Sequence, residues 1–492
     1  MTHFPSIFND AIGPVMRGAS SSHVAAAHRI GLLARDYMDG DFSSVLVEYD
    51  PNTSLEPTHD SQGSDMGLFC GLMGWEVTDE RMVDARKYLE GMGVETEIRI
   101  TDYGATHENT YKLTLRNEDH SLCLYAISIG GGMVEIIEIN GTKVSVFGDY
   151  HETFVEGDVG EVKADYILER DGFTQIKSQH PLNIPNSRSM APVLPVGARK
   201  DLHVPFSNAD ELQKYNKDKG LSFWELALEY ESQRGNLSTE AVYEKMRAIV
   251  RILDNSIDQG LAGTEYEDRI YPAQAPLYKE KGNNSLNLGL YDDVIAAVTA
   301  LMDVKSSMGV IVAAPTAGSC GTLPGTVLGV ANALGMSEDQ KTRAMLSAGL
   351  IGVFIAHMAT FSAEIGGCQA ETGSGSGMAA AGLVTLFDGS VDQCLAAASM
   401  ALQNTFGLVC DPVANRVEAP CLGKNVLMAG NALSASNMVL AGFDALIPLD
   451  EVIVAMHQVG QSIPCELRCT GKGGLATTPT GQKLFKQMNC GS

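Results

Sequence analysis

The chain has 492 residues, 45% of them hydrophobic and 19% charged, which suits several folded domains and excludes wholesale disorder. Asp and Glu number 60 against 35 Lys and Arg, a net charge of −25, so nucleic acid and anionic membrane are excluded as partners by like-charge repulsion. Ten cysteines at this length are too few for a disulfide scaffold, and the composition fits a cytoplasmic enzyme.

The opening MTHFPSIFNDAIGPVM lacks a basic stretch followed by a long apolar one, so no signal peptide is expected. Residues 1–160 read as an α/β domain. A helix is predicted over Ser21–Met38, a strand over 43–50, and helical stretches near 64–74 and 79–92. Strand-like runs then crowd together at 94–100, 110–116, 122–130, 133–141 and 143–149. Asn140-Gly141 is a two-residue hairpin signal between the last two. Helices early and strands late imply a mixed or antiparallel sheet covered on one face.

Residues 161–207 carry prolines at 181, 185, 192, 195 and 205 and read as an extended connector. From 208 to 492 the pattern is helical. Ser222 with Glu225, and Ser337 with Gln340, form capping boxes, and 241–261 has helical periodicity ending near Gly260. Ala344–Ala363 holds no Asp, Glu, Lys or Arg and has membrane-spanning length. Its Ala/Gly content and His357 favour a buried core helix instead, and Val426–Phe443 reads as a second. The fold class is therefore α+β: an N-terminal α/β domain and a large all-α C-terminal domain.

No C-x-x-C pair occurs, which removes zinc-ribbon and thioredoxin readings. Cys123 and Cys394 read as small core residues. Three others lie at loop–helix junctions: Cys368 in EIGGCQAETGSGSG, Cys410 in GLVCDPVA and Cys421 in EAPCLGKN. Thiolates at helix ends can converge, and three without a fourth suit a [4Fe–4S] cluster with one open iron, although C-x10-C plus a distant Cys is not diagnostic by itself.

MGVIVAAPTAGSCGTLPG (308–325), IGGCQAETGSGSGMAAAGL (365–383), GLVCDPVANRVEAPC (407–421) and LRCTGKGGLATTPTG (467–481) resemble the helical domain of iron–sulfur-dependent L-serine dehydratases. GASSSH (18–23), THENT (106–110) and SIGGG (128–132) are similar to the family's smaller domain. The resemblance implies a [4Fe–4S] cluster on Cys368, Cys410 and Cys421, an amino-acid substrate and a homodimer. It implies that the helical domain carries the cluster while the smaller domain supplies substrate-binding groups, with His23 and His107 as candidates for base or carboxylate contact. Ser20, Ser21 and Ser22, which also read as a plain helix cap, become carboxylate-binding candidates with Asn109, Thr316, Gly318 and Ser319. Glu364, Glu371 and Asp411 flank the cysteines as hydrogen-bond acceptors or helix ends. The chain departs from the family at Val24, where Thr is usual, at Gln62, where a His is expected with His59 three residues away, and at Lys305, where Asn is common. These departures bear on the substrate.

Dehydration of L-serine removes an α-proton and a β-hydroxide, and an open cluster iron can serve as Lewis acid for the poor leaving group. Cys490, in the polar terminal segment, reads either as a plain exposed thiol or as a resting-state ligand of that iron. Two alternatives stay open: a lyase of the same mechanism acting on another β-substituted amino or hydroxy acid, and a non-catalytic iron–sulfur sensor or redox protein.

Overall fold

The computed structural model describes residues 4–279 and 286–489, which form two compact units. One comprises residues 20–202, the other residues 203 onward together with the N-terminal segment up to Ala19.

In the 20–202 unit the six-stranded sheet contains all the crowded strands expected from the sequence. Its spatial order is Glu95–Ile100, Ser44–Tyr49, Thr110–Arg116, Ser121–Gly130, Met133–Ile139, Thr142–Val146. Only the first pair is parallel, so the sheet is mixed. Asn140 (φ 49°) and Gly141 (φ 84°) turn the last hairpin through the left-handed region, as Asn-Gly does in type I′ turns. Helix Ala26–Tyr37 covers the sheet against Ser121–Gly130 and Met133–Ile139 and packs on helix Ser64–Leu72.

The expected connector over 161–207 contains strands instead. Tyr166–Glu169, Thr174–Ser178 and Ser187–Met190 join His151–Val155 in a four-stranded antiparallel sheet. Their prolines flank the strands rather than interrupting them. Thr174–Ser178 is buried throughout although four of its five residues are polar, so it shows no hydrophobic alternation. Its Lys177 meets Glu152 at 3.0 Å, with both side chains at 5% exposure or less.

The α/β domain also starts later than expected, because residues 4–17 are stitched into the helical unit. Buried Glu231 accepts from Ser6 Oγ (2.5 Å) and the Ile7 amide (2.8 Å). Tyr230 and Arg234 donate to the carbonyls of Pro5 and Phe4. Val15–Arg17 pairs antiparallel with Val310–Val312 in a two-stranded ribbon of the helical unit.

The capping boxes hold: Ser222 N–H donates to Glu225 at 2.8 Å and Ser337 N–H to Gln340 at 3.0 Å. The helix over 241–261 runs Thr239–Ala262 and stops at Gly263 (φ 108°). Gly260 is a crossing point, since a Cβ there would lie 2.3 Å from the Ala300 carbonyl of helix Leu290–Ser306. Helix Glu338–Met358 is buried from Ala344 to Ile355, and among the described residues no helix is long and apolar enough to cross a membrane. Helix Cys421–Leu440 differs from expectation: one face is buried, but Leu427 is 57% exposed.

Candidate functional site

In the helical unit, Cys368 directly precedes the turn Gln369–Gly373 and helix Ser374–Leu386, while Cys421 opens helix Cys421–Leu440. Cys410 lies in an extended stretch paired to the 467–469 segment: its N–H donates to Leu467 O (2.8 Å) and its carbonyl accepts from the Cys469 N–H (2.9 Å). The sulfurs of Cys368 and Cys410 and a carboxylate oxygen of Glu371 all lie within 4.8 Å of one another. Cys421 is buried, and its thiol is pushed up to about 12 by burial and then by Cys368. The Cys368 thiol is raised by its hydrogen bond to Cys410 and by burial.

The hydrogen bonds around these sulfurs fix the loops that carry them. Thr316 Oγ1 donates to Glu371 (2.7 Å) and sits 3.1 Å from Ser319 Oγ. Asn425 Nδ2 donates to the carbonyls of Gly318 and Cys421, both at 2.9 Å, tying the 316–319 loop to the Cys421 helix. Gly318 is a point of close approach, because a Cβ would lie 3.0 Å from Glu371 Oε1 and 3.3 Å from Val417 Cγ1. Burial pushes the Glu371 carboxyl up to about 7, against the pull of the Thr316 hydroxyl. Two lysines bring positive charge. Lys424 Nζ donates to Val409 O and to Asp411, each at 2.6 Å, and fully buried Lys305 donates to the Val417 carbonyl. Asp411 in turn accepts from the Leu475 N–H (3.0 Å), and Glu364 from Ser362 (2.6 Å).

This donor set fits a metal centre. Buried thiols with raised values stay protonated unless a cation compensates them, and soft thiolates select iron–sulfur or zinc over hard cations. Cys320 is buried beside Met302 and reads as packing. Cys469 is a sulfur that sequence spacing did not single out. It packs against the pair of Cys368 and Cys410. Cys490 lies outside the described residues.

In the 20–202 unit Ser20, His23, Asn109 and His107 belong to one polar chain. Ser20 precedes the turn Ser21–Ala25 in extended conformation, yet its hydroxyl does not cap the backbone. It meets His23 Nδ1 at 2.9 Å, while His23 Nε2 meets Thr58 Oγ1, also at 2.9 Å. Thr58 donates to Ser54 O (2.6 Å), Ser54 Oγ to Asn109 Oδ1 (2.6 Å), and the Asn109 N–H to His107 Nδ1 (3.1 Å). His23, Ser21 and Asn109 are buried, whereas Ser22 and His107 are partly exposed. Thr58 and Ser54 were not legible in advance, since single hydroxyls in a turn carry no spacing signal. Gln62 is buried next to this turn, and its N–H donates to Thr58 O (2.9 Å). His59 does not substitute in the chain: it pairs with Asp65 (2.7 Å), which also accepts from Tyr49 OH (2.8 Å), and stacks on the Tyr49 ring. His28 Nε2 donates to Trp75 O (2.7 Å) and belongs to the packing.

Comparison with known proteins places the chain among serine dehydratases. The family model described as "Serine dehydratase alpha chain" matches residues 218–476, wholly inside the helical unit. The "Probable L-serine dehydratase, alpha chain" of Bacillus subtilis is 38% identical over 285 residues, 58% of this chain and 95% of that protein. Other relatives align over nearly the whole of both chains. "L-serine dehydratase" of Helicobacter pylori is 32% identical over 96% of this chain and 98% of its own length. "L-serine dehydratase 1" of Escherichia coli is 31% identical over 96% and 97%.

Proposed function

The chain belongs to the serine dehydratase alpha-chain family, and on that premise we propose that it converts L-serine to pyruvate and ammonia. The observation that carries this reading is the convergence of Cys368 and Cys410 with Glu371 beside buried Cys421. We propose that Cys368, Cys410 and Cys421 hold a [4Fe–4S] cluster. When bound, it supplies an open iron, a Lewis acid toward the departing hydroxyl.

The protein's own groups do the rest. The hydroxyls of Ser20, Ser21 and Ser22 are suited to hold a carboxylate, and in the helical unit the Thr316 hydroxyl holds Glu371 in place. His23, held at both ring nitrogens by hydroxyls, is the proposed acceptor of the α-proton, and His107 with Asn109 orients the polar chain that ends on it. Glu371, raised to about 7, can hold or release a proton near neutrality. Loss of the α-proton and hydroxide gives 2-aminoacrylate, which tautomerises and hydrolyses in water to pyruvate and ammonia. A cytoplasmic setting, where thiols stay reduced, and a homodimer complete the proposal.

The test is turnover by anaerobically prepared, iron-loaded protein. Equimolar pyruvate and ammonia from L-serine are expected. An intact cluster with no pyruvate from L-serine would overturn the reading and favour the two alternatives, which turnover of other β-substituted acids then separates. Replacing Cys368, Cys410 or Cys421 by Ala should abolish visible cluster absorption and activity together. His23→Ala should keep the absorption and lower turnover by roughly 10²–10⁴-fold. Prolonged exposure to air should bleach the cluster and remove activity in parallel, since an open iron is readily lost on oxidation.

A further inference from the structure

Cys469 is a fourth thiol at the metal site, held there by the backbone. Cys410 donates its N–H to Leu467 O and accepts the Cys469 N–H, so the two cysteines are fixed in adjacent positions of a parallel pairing. Cys469 packs against the buried Cys368 and Cys410 side chains. Its backbone lies in the left-handed region (φ 63°), which favours glycine or asparagine. Gly471 and Gly474, just beyond, meet the same demand with glycine (φ 65° and 59°), whereas position 469 keeps a side chain and points the reactive group of that side chain at Cys410. Cys410 is 4% exposed whereas residue Cys469 is only partly buried, so Cys469 is the nearer of the two cysteines to solution.

We propose that Cys410 and Cys469 are a thiol–disulfide exchange site: in cluster-free protein they react with a small-molecule disulfide and close on each other. The Cys469 thiolate attacks one sulfur of the small disulfide, whose S–S bond breaks and releases one thiolate, leaving a mixed disulfide on Cys469. The Cys410 thiolate then attacks the Cys469 sulfur and expels the second small thiolate. The protein loses two electrons and two protons, and the small disulfide becomes two thiols. The closed pair withholds Cys410 from iron, so the site can be reloaded only after reduction. That last consequence rests on Cys410 being a cluster ligand, as proposed above. The cross-link itself does not.

Full-length protein is stripped of iron under reducing, oxygen-free conditions, freed of reductant and incubated with oxidised glutathione. Remaining thiols are alkylated and the unreduced peptides sequenced by fragmentation. The expected result is a Cys410–Cys469 link as the main protein disulfide. Iron uptake on reconstitution, read by visible absorption, should fall at least tenfold and return after dithiothreitol. Cys469→Ser and Cys469→Ala should take up iron equally with and without the oxidant. A Cys368–Cys410 link, a glutathione adduct that stays on Cys469, or no link at all overturns the proposal. A Cys410–Cys469 link with undiminished iron uptake supports the exchange site and removes Cys410 from the ligand set.

Discussion

His28 is kept neutral by its surroundings, and this makes the 20–202 unit sensitive to acid. Burial lowers its value from 6.5 to about 4, against the hydrogen bond to the Trp75 carbonyl that favours the charged ring. The unfolded chain therefore binds a proton near 6.5 while the folded one refuses it until about 4. The stabilisation is complete above the unfolded value and is lost as pH falls from 6.5 toward 4, by about 3 kcal/mol in total. His28→Gln should flatten the melting temperature across that window, and an unchanged slope would remove His28 as its source. Gly318 makes a different point about single residues. A Cβ there meets Glu371 and Val417, so Gly318→Ala should cost about 1–3 kcal/mol and reduce iron retained after reconstitution. Gly423→Ala is the control, since nothing lies within 4 Å of its Cβ position. The sequence offered Gly318 as a substrate-binding candidate. That its missing side chain makes room for Glu371 follows only from the fold, because Thr316 and Glu371 meet across 55 positions of chain.

At the scale of elements, legibility followed the hydrophobic pattern. Strands with one wet and one dry face, such as Ser121–Gly130, alternate and were read within a residue or two. Thr174–Ser178 was missed because its interior is satisfied by charge and hydrogen bonds instead of apolar contact. Gln175 Nε2 donates to Glu152 (3.0 Å) and Lys177 pairs with the same carboxylate, so the strand reads as a polar loop. This arrangement has a cost that a variant exposes. Lys177→Met leaves Glu152, whose carboxyl burial already pushes up, without its cation. The loss should be about 3–5 kcal/mol, as for other buried pairs deprived of one partner. Lys177→Met combined with Glu152→Leu should recover much of it, and a double variant as unstable as the single one would show that packing, not charge, governs the strand. The cysteine loops show the converse. Their long glycine-rich motifs were conspicuous, but the contribution of Cys469 was not, because a pairing between residues 410 and 467–469 has no local periodicity to announce it.

At the scale of the molecule, the division of the chain is not the division of the sequence. Composition changes near residue 160–210, and a boundary read from composition assigns everything before it to one domain. The N-terminal segment belongs to the other unit because of a few long-range demands: the buried Glu231 carboxylate needs donors, strand Val310–Val312 needs a partner, and the core takes in Ile7, Phe8, Ile12 and Met16, each at 2% exposure or less. None of these is visible in the local pattern of either segment. The 20–202 unit is thus an insertion between the first strand and the body of the helical unit, which leads to a prediction about fragments. Residues 20–202 expressed alone keep every strand pairing of both their sheets and should fold with a cooperative thermal transition. Residues 203–492 alone lack the donors to Glu231 and four core side chains, each worth about 2–5 kcal/mol when large apolar groups are removed. That sum is comparable to the whole usual stability of a domain, roughly 5–15 kcal/mol, so this fragment should be molten or insoluble. Joining residues 1–19 to residue 203 through a short flexible linker should restore a cooperative transition. Ile7→Ala within the joined fragment should lower its stability by about 2–5 kcal/mol while leaving it folded. A fragment 203–492 that melts cooperatively, at the temperature of the joined form, would show that the N-terminal segment is only appended to the helical unit and contributes nothing to its fold.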